Sequence, residues 1–141
     1  MLMDTGENAG SQSAVTIIRG IALGEIRIKD FFKVLWKEMR VAVIMGITLA
    51  IATFIKLMTI DKLYDIENGY LVALVVCLTM FTTAFLAKVV GCILPIIAKV
   101  CKLDPAVVAS PFITTIVDAL SLSIYCSMAI AILGKLYPML S

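Results

Sequence analysis

Apolar residues fall in three long runs separated by short polar connectors, and a membrane helix needs about 20 mostly apolar residues. Residues 41–55 carry no charge, and Lys56 can snorkel so that the run extends to Ile60. Residues 69–87 are uncharged, and after Lys88 the apolar pattern resumes through Ala98. Residues 105–134 contain a single charged side chain, Asp118. The pattern predicts transmembrane helices over 40–60, 69–101 and 105–137. The third has a clear start, because Asp104 can cap it and Pro105 suits the first helical position. Pro111 then predicts a kink or break, and Gly91 with Pro95 predicts a kink late in the second helix.

The chain ahead of these runs reads differently. Over 26–39, Ile28, Phe31, Phe32, Leu35, Trp36 and Met39 recur at helical spacing with charges between them. That spacing predicts an amphipathic connecting helix on the membrane surface. Residues 1–13 are polar and Gly-rich, and 14–23 are apolar but too short to span. Taken alone, this stretch reads as a disordered leader. Its first fourteen residues lack the basic start and apolar segment of a signal peptide.

Composition sharpens the fold class to all-α, a polytopic membrane helix bundle. The 141 residues are 62% hydrophobic and 16% charged, with mean hydropathy +1.07. Soluble domains carry roughly 45–50% apolar and about 25% charged residues, and a small domain cannot hide such an excess in its core. A soluble monomeric enzyme is thereby excluded, and a net charge of +2 leaves no nucleic-acid footprint. Histidine is absent, so His general bases and His metal sites are absent too. Cys77, Cys92, Cys101 and Cys126 are widely spaced in apolar surroundings and read as small buried hydrophobes. With no P-loop, no GxSxG and no paired cysteines, the chain is not expected to be an enzyme.

Charge also predicts orientation. The segment 19–40 holds Arg19, Arg27, Lys29, Lys33, Lys37 and Arg40 against Glu25, Asp30 and Glu38. The next connector has Lys62 against Asp61, Asp65 and Glu67, and the last has Lys99 and Lys102. The positive-inside rule puts the first and third connectors in the cytoplasm and the C-terminus outside.

Asp118 carries the most chemical information. A carboxylate deep in a span costs roughly 2.5–3.5 kcal/mol on insertion scales, so such residues mark ion paths by default. Ser110, Thr114 and Asp118 lie four residues apart, which lines three oxygen-bearing side chains along one helix face. Hard oxygen ligands of this kind suit magnesium, calcium or manganese. Two structural readings compete. Lys88 and Asp118 are equally far from Leu103, so a hairpin turning there would let them form an intramembrane ion pair. The hydroxyls could equally serve as helix–helix glue. A second polar cluster, Thr5 to Ser13, combines two glycines with Glu7, Asn8, Ser11 and Gln12. Unwound stretches of that composition build ion sites in transporters, although Gly/Asn clusters also mark solvated turns.

Three passages, TGENAGSQSAVTIIR, KEMRVAVIMGITLA and GCILPIIAKVCKLDPAVVASPFITTIVD, resemble in order the membrane domain of MgtE-type magnesium transporters and channels. The resemblance implies a five-helix membrane domain acting as a homodimer in a cell membrane, the bacterial inner membrane, with Mg²⁺ as the transported and bound ion. It implies that residues 1–25 are the remnant of the family's broken second helix, and that the three predicted spans are its third, fourth and fifth. Asp118 then takes the place of the central metal-coordinating aspartate, with Thr114 one turn before it. Ser110, Asn8, Glu7 and Ser11 fall at positions beside the ion path. The first helix, half of the second, and the cytosolic N and CBS domains are not matched, so the chain is expected to lack them. Glu7, Ser11, Lys88 and Ser121 depart from the residues common in the family, which bears on ion selectivity. The reading that competes with transport is a membrane assembly protein in which Asp118 and Lys88 form a structural pair.

Overall fold

A computed structural model of the chain describes residues 1–26, 30–60, 62 and 68–134, with the side chains of 31, 108, 109 and 133 excepted. Four helices account for its regular structure: α1, Leu2–Ala22; α2, Phe31–Thr59; α3, Gly69–Val100; and α4, Pro105–Leu133. No strand occurs among the described residues. Stretches of α2, α3 and α4 (Phe32–Thr59, Gly69–Val100 and Ser110–Ile132) are long and apolar enough to cross a membrane. The three predicted spans are therefore present, and the bundle is all-α.

The N-terminal stretch is not disordered. It is a 21-residue helix, α1. Its helicity was illegible locally because glycine and serine disfavour isolated helices. Tertiary packing supplies what propensity lacks. Gly6, Ala9, Gly10, Ser13, Ala14, Ile17 and Gly20 form one buried stripe. Small side chains at that spacing let backbones approach closely, which is how helices associate without a hydrophobic driving force between them. A Cβ on Gly91 of α3 would collide with the carbonyl oxygen of Gly10, and one on Gly6 would lie 2.7 Å from Thr83 Cγ2 and 2.9 Å from Val117 Cγ1. Ala9 and Ala14 of α1, Ala87 of α3, and Ile113 and Val117 of α4 form the buried core where α1, α3 and α4 meet.

These contacts fix directions. Gly6 lies by Thr83 and Gly10 by Ala87, so α1 runs parallel to α3. Gly6 also lies by Ser121 and Gly10 by Ile113, so α1 is antiparallel to α4. Gly46 lies by Phe81, and the Cys77 thiol donates to the carbonyl of Ala50, so α2 is antiparallel to α3. The C-terminal ends of α1 and α3 and the N-terminal ends of α2 and α4 thus share one end of the bundle. Arg19, Lys33, Lys37, Arg40, Lys99 and Lys102 all belong to that end.

The turns there follow local chemistry. Gly24 adopts φ 73° after α1, where Glu25 N–H donates to Gly20 O at 3.0 Å. Lys102 adopts φ 58° after α3, where Leu103 N–H donates to Ala98 O at 2.9 Å. Both are helix stops that tie up carbonyls of the last turn through a left-handed residue. Asp104 caps α4 as expected: its Oδ1 accepts from Ala106 N–H at 2.9 Å, and Pro105 occupies the first turn.

Two local expectations change. The amphipathic segment is helical from Phe31, and it continues without a break into the first span, so it is the start of α2 rather than an element of its own. Its residues 27–29 lie outside the described residues. Pro111 does not break its helix: α4 is continuous from Pro105 to Leu133, and α3 is continuous through Pro95. A proline in a helix forfeits one backbone bond, and the rest of α4 carries on around it. Thr114 and Thr115 both donate to Pro111 O at 2.9 Å.

Candidate functional site

Asp118 sits in the middle of α4, next to the stripe of Ile113, Val117 and Ser121 that packs against α1 and α3. Because Val117 and Ser121 both border Gly6, Asp118 lies at the level of Gly6 and Glu7. The side chain is half-buried. Its Oδ1 is fully buried and has no hydrogen-bond partner among the described residues. Thr83 Oγ1 on α3 is likewise buried and unpartnered, and its methyl group lies against Gly6. Two unsatisfied oxygens thus occur where α1, α3 and α4 come together. Each buried, unsatisfied acceptor costs about 1–3 kcal/mol, more when charged.

Below this level a cavity of about 330 Å³ opens between α1 and α4. Ser11 and Arg19 line it from α1, and Ser110 with Ile113 from α4. Ser11 and Ser110, named independently from the two polar stretches, therefore face one groove. Thr114 is half-buried on the same stripe as Ser110 and Asp118, and its hydroxyl proton is committed to Pro111 O. Its oxygen keeps lone pairs for a further partner. Glu7 is half-buried, and Asn8 is exposed on the opposite side of α1 from the Gly6–Gly10 stripe. The Thr5–Ser13 run is helical rather than unwound, so it offers side chains but no freed carbonyls. Among the described residues, no three His, Cys, Asp or Glu side chains form a metal cluster.

Lys88 is paired elsewhere. Its ammonium donates to Glu38 Oε2 at 3.2 Å and to Ser13 Oγ at 3.1 Å, and Ser13 Oγ donates to Glu38 Oε2 at 2.8 Å. The group is 4% exposed. This network joins α1, α2 and α3, and it replaces the Lys88–Asp118 pair that equal spacing about Leu103 had suggested. The reason is registry. Lys88 and Glu38 are almost equally far from the connector between α2 and α3, so that hairpin brings them level as well. Glu38 was read only as one charge of an amphipathic face, and the same hairpin argument applied to α2 would have found it. A buried cation with a carboxylate and a hydroxyl around it is satisfied, and among the described residues Asp118 makes no ion pair.

Cys92 is buried, and Cys77 is half-buried with its thiol on Ala50 O, as the apolar reading required. Cys101 and Cys126 are exposed instead, Cys101 in the turn after α3 and Cys126 on the outer face of α4. All four are free thiols.

Sequence comparison adds an independent line. Residues 1–128 match the family described as MgtE, divalent cation transporter. The chain is 34% identical over 129 residues to the magnesium transporter MgtE of Thermus thermophilus, and 32% identical to that of Bacillus subtilis. It is 26% identical to the one from Enterococcus faecalis. Each alignment covers 92% of this chain, and the chain spans 27% of the length of these curated relatives.

Proposed function

The chain belongs to the MgtE divalent cation transporter family, and we propose that it conducts Mg²⁺ along a path walled by α1 and α4, with Asp118 as the principal ligand. It is a multi-pass membrane protein, with three helices of spanning length and composition. The observation that carries the proposal is the buried, unpartnered Oδ1 of Asp118 in the middle of a span. A carboxylate in that position persists against a cost of roughly 2.5–3.5 kcal/mol. The cation that could have neutralised it structurally, Lys88, is bound to Glu38.

Magnesium prefers oxygen ligands, keeps several waters and dehydrates reluctantly. One carboxylate with hydroxyls nearby is suited to such an ion: Asp118 attracts it, and the oxygens of Thr114, Ser110 and Ser11 can accept hydrogen bonds from its waters. Glu7 adds negative charge near the level of Asp118, and Asn8 offers an amide oxygen. One aspartate per chain makes a weak site, so the proposal includes a homodimer in which two copies of Asp118 approach the two-fold axis. The exposed Asn8 and Gln12 on α1 favour a partner or water on that face over lipid. The basic end of the bundle is cytoplasmic in this reading, and α4 runs away from it toward the outside. The expected C-terminal segment itself, 135–141, lies outside the described residues.

Uptake of Mg²⁺ into proteoliposomes, followed with an internal fluorescent indicator, tests the proposal. Wild-type protein gives uptake above empty vesicles, Asp118→Ala gives none, and Asp118→Glu gives a reduced rate. Wild-type uptake that survives Asp118→Ala in full removes Asp118 from the path.

A further inference from the structure

We propose that the cavity between the end of α1 and the start of α2 binds the headgroup phosphate of an anionic phospholipid. The cavity encloses about 360 Å³; its polar lining is Arg19 and Thr16 of α1, Glu25 of the connector, and Lys37 and Glu38 of α2, and Gly20, Ile26 and Val34 complete it. It is not part of the proposed ion path, although Arg19 lines both that cavity and the α1–α4 groove.

Depth is the first argument. The apolar stretch of α2 runs 28 residues, Phe32–Thr59, about 42 Å at 1.5 Å per residue. A hydrocarbon core is about 30 Å thick, and about 40–45 Å with its headgroup layers. The uncharged part of α2 begins at Val41, so the turns carrying Lys33, Lys37, Glu38 and Arg40 fall in a headgroup layer. Trp36, 65% exposed between them, is the amphipathic ring that anchors helices at this depth.

Charge is the second. Glu38 is committed to Lys88 and Ser13. Arg19 and Lys37 make no ion pair among the described residues. With Glu38 balanced by Lys88, Arg19 and Lys37 against Glu25 leave one net positive charge on the lining, which matches the single negative charge of a phosphatidylglycerol-type headgroup. A guanidinium can hold phosphate oxygens in bidentate fashion, and the lysine adds a mobile point charge. Thr16, whose hydroxyl proton goes to Gln12 O, contributes no competing demand. Basic pockets between transmembrane helices are established sites for anionic headgroups.

A consequence follows for conduction, resting on the proposed ion path. An uncompensated guanidinium at the mouth of the α1–α4 groove repels an approaching divalent cation. A bound phosphate neutralises Arg19 there, so anionic lipid should raise flux.

Native mass spectrometry of delipidated protein with added phosphatidylglycerol or phosphatidylcholine reads binding without any flux. Wild-type protein should carry a phosphatidylglycerol adduct and little phosphatidylcholine. Arg19→Gln/Lys37→Gln should weaken that adduct roughly tenfold or more, from two basic contacts near the surface. Lys33→Gln/Arg40→Gln removes the same charge outside the cavity and should leave the adduct in place, and Arg19→Lys, which keeps the charge, should weaken it less than Arg19→Gln. Equal binding of phosphatidylcholine, an adduct that survives the cavity variant, or equal loss in both double variants overturns the proposal. Displacement by millimolar inorganic phosphate as readily as by lipid assigns the site to free phosphate and overturns the lipid assignment. In proteoliposomes, wild-type Mg²⁺ flux should rise with phosphatidylglycerol content and the cavity variant should stay flat. Absent flux in every composition refutes the ion path and leaves the adduct measurement to decide the lipid site.

Discussion

Lys88→Met separates pairing of Lys88 with Glu38 from pairing with Asp118. The substitution keeps the length and apolar stem of the side chain and removes the ammonium that Glu38 Oε2 and Ser13 Oγ both contact, at 3.2 and 3.1 Å. Glu38 retains one hydrogen bond, from Ser13 at 2.8 Å, and its carboxylate side chain is only 12% exposed. Removing one partner of a buried ion pair costs about 3–5 kcal/mol because a charge is left uncompensated. Neutralising both partners is close to neutral, so Lys88→Met/Glu38→Gln should return to within about 1 kcal/mol of wild type. Lys88→Met/Asp118→Leu should stay as unstable as Lys88→Met alone. Equilibrium unfolding in mixed micelles of mild detergent and dodecyl sulfate gives these differences directly. Rescue by Asp118→Leu, or the absence of rescue by Glu38→Gln, would refute the assignment of Lys88 to Glu38.

Gly91→Ala should destabilise by about 1–3 kcal/mol, at the upper end of that range, because the added methyl meets the backbone of Gly10 rather than a side chain that can turn away. Gly46→Ala, which meets only the ring of Phe81, should cost clearly less in the same unfolding assay. Asp104→Ala removes the cap on Ala106 N–H and should cost about 0.5–2 kcal/mol, whereas Asp104→Ser should recover most of it. Single cysteines placed along the Ser110–Thr114–Asp118 stripe of α4, in a background without the native four, should cross-link between copies when the dimer axis passes there. Cross-linking confined to the α2–α3 surface would move the axis.

The sequence was read most successfully where the signal was long or chemical. The apolar runs located α3, α4 and the apolar part of α2 closely, because burial in lipid demands an uninterrupted stretch, but not the first turns of α2, which begins at Phe31. Asp104–Pro105 marked the start of α4 to the residue, since a cap is a local bond. What failed to show was anything decided between helices. The α1 segment looks structureless when its glycines are weighed alone, yet those glycines are what bring it against Gly91 and Thr83. The partner of Lys88 depended on the α2–α3 registry, and spacing about Leu103 offered an equally good but incorrect candidate. Pro111 predicted a kink or a break, and α4 is unbroken there. Asp118 was legible as a functional candidate from one fact, a carboxylate in a span. The second unsatisfied oxygen, Thr83 Oγ1, was not, because threonines are common in such helices and only the packing around Gly6 singles this one out.

Asp118, on the proposed reading, is held uncompensated in the membrane to receive a divalent cation. Asp118→Asn tests it with the least disturbance, since the amide keeps the shape and removes only the charge. Initial Mg²⁺ influx should be compared between wild-type and Asp118→Asn proteoliposomes at equal protein density, with stability checked in parallel. Influx should fall to the level of empty vesicles while stability is unchanged or rises, because a buried charge has been removed. Undiminished influx in Asp118→Asn would contradict it.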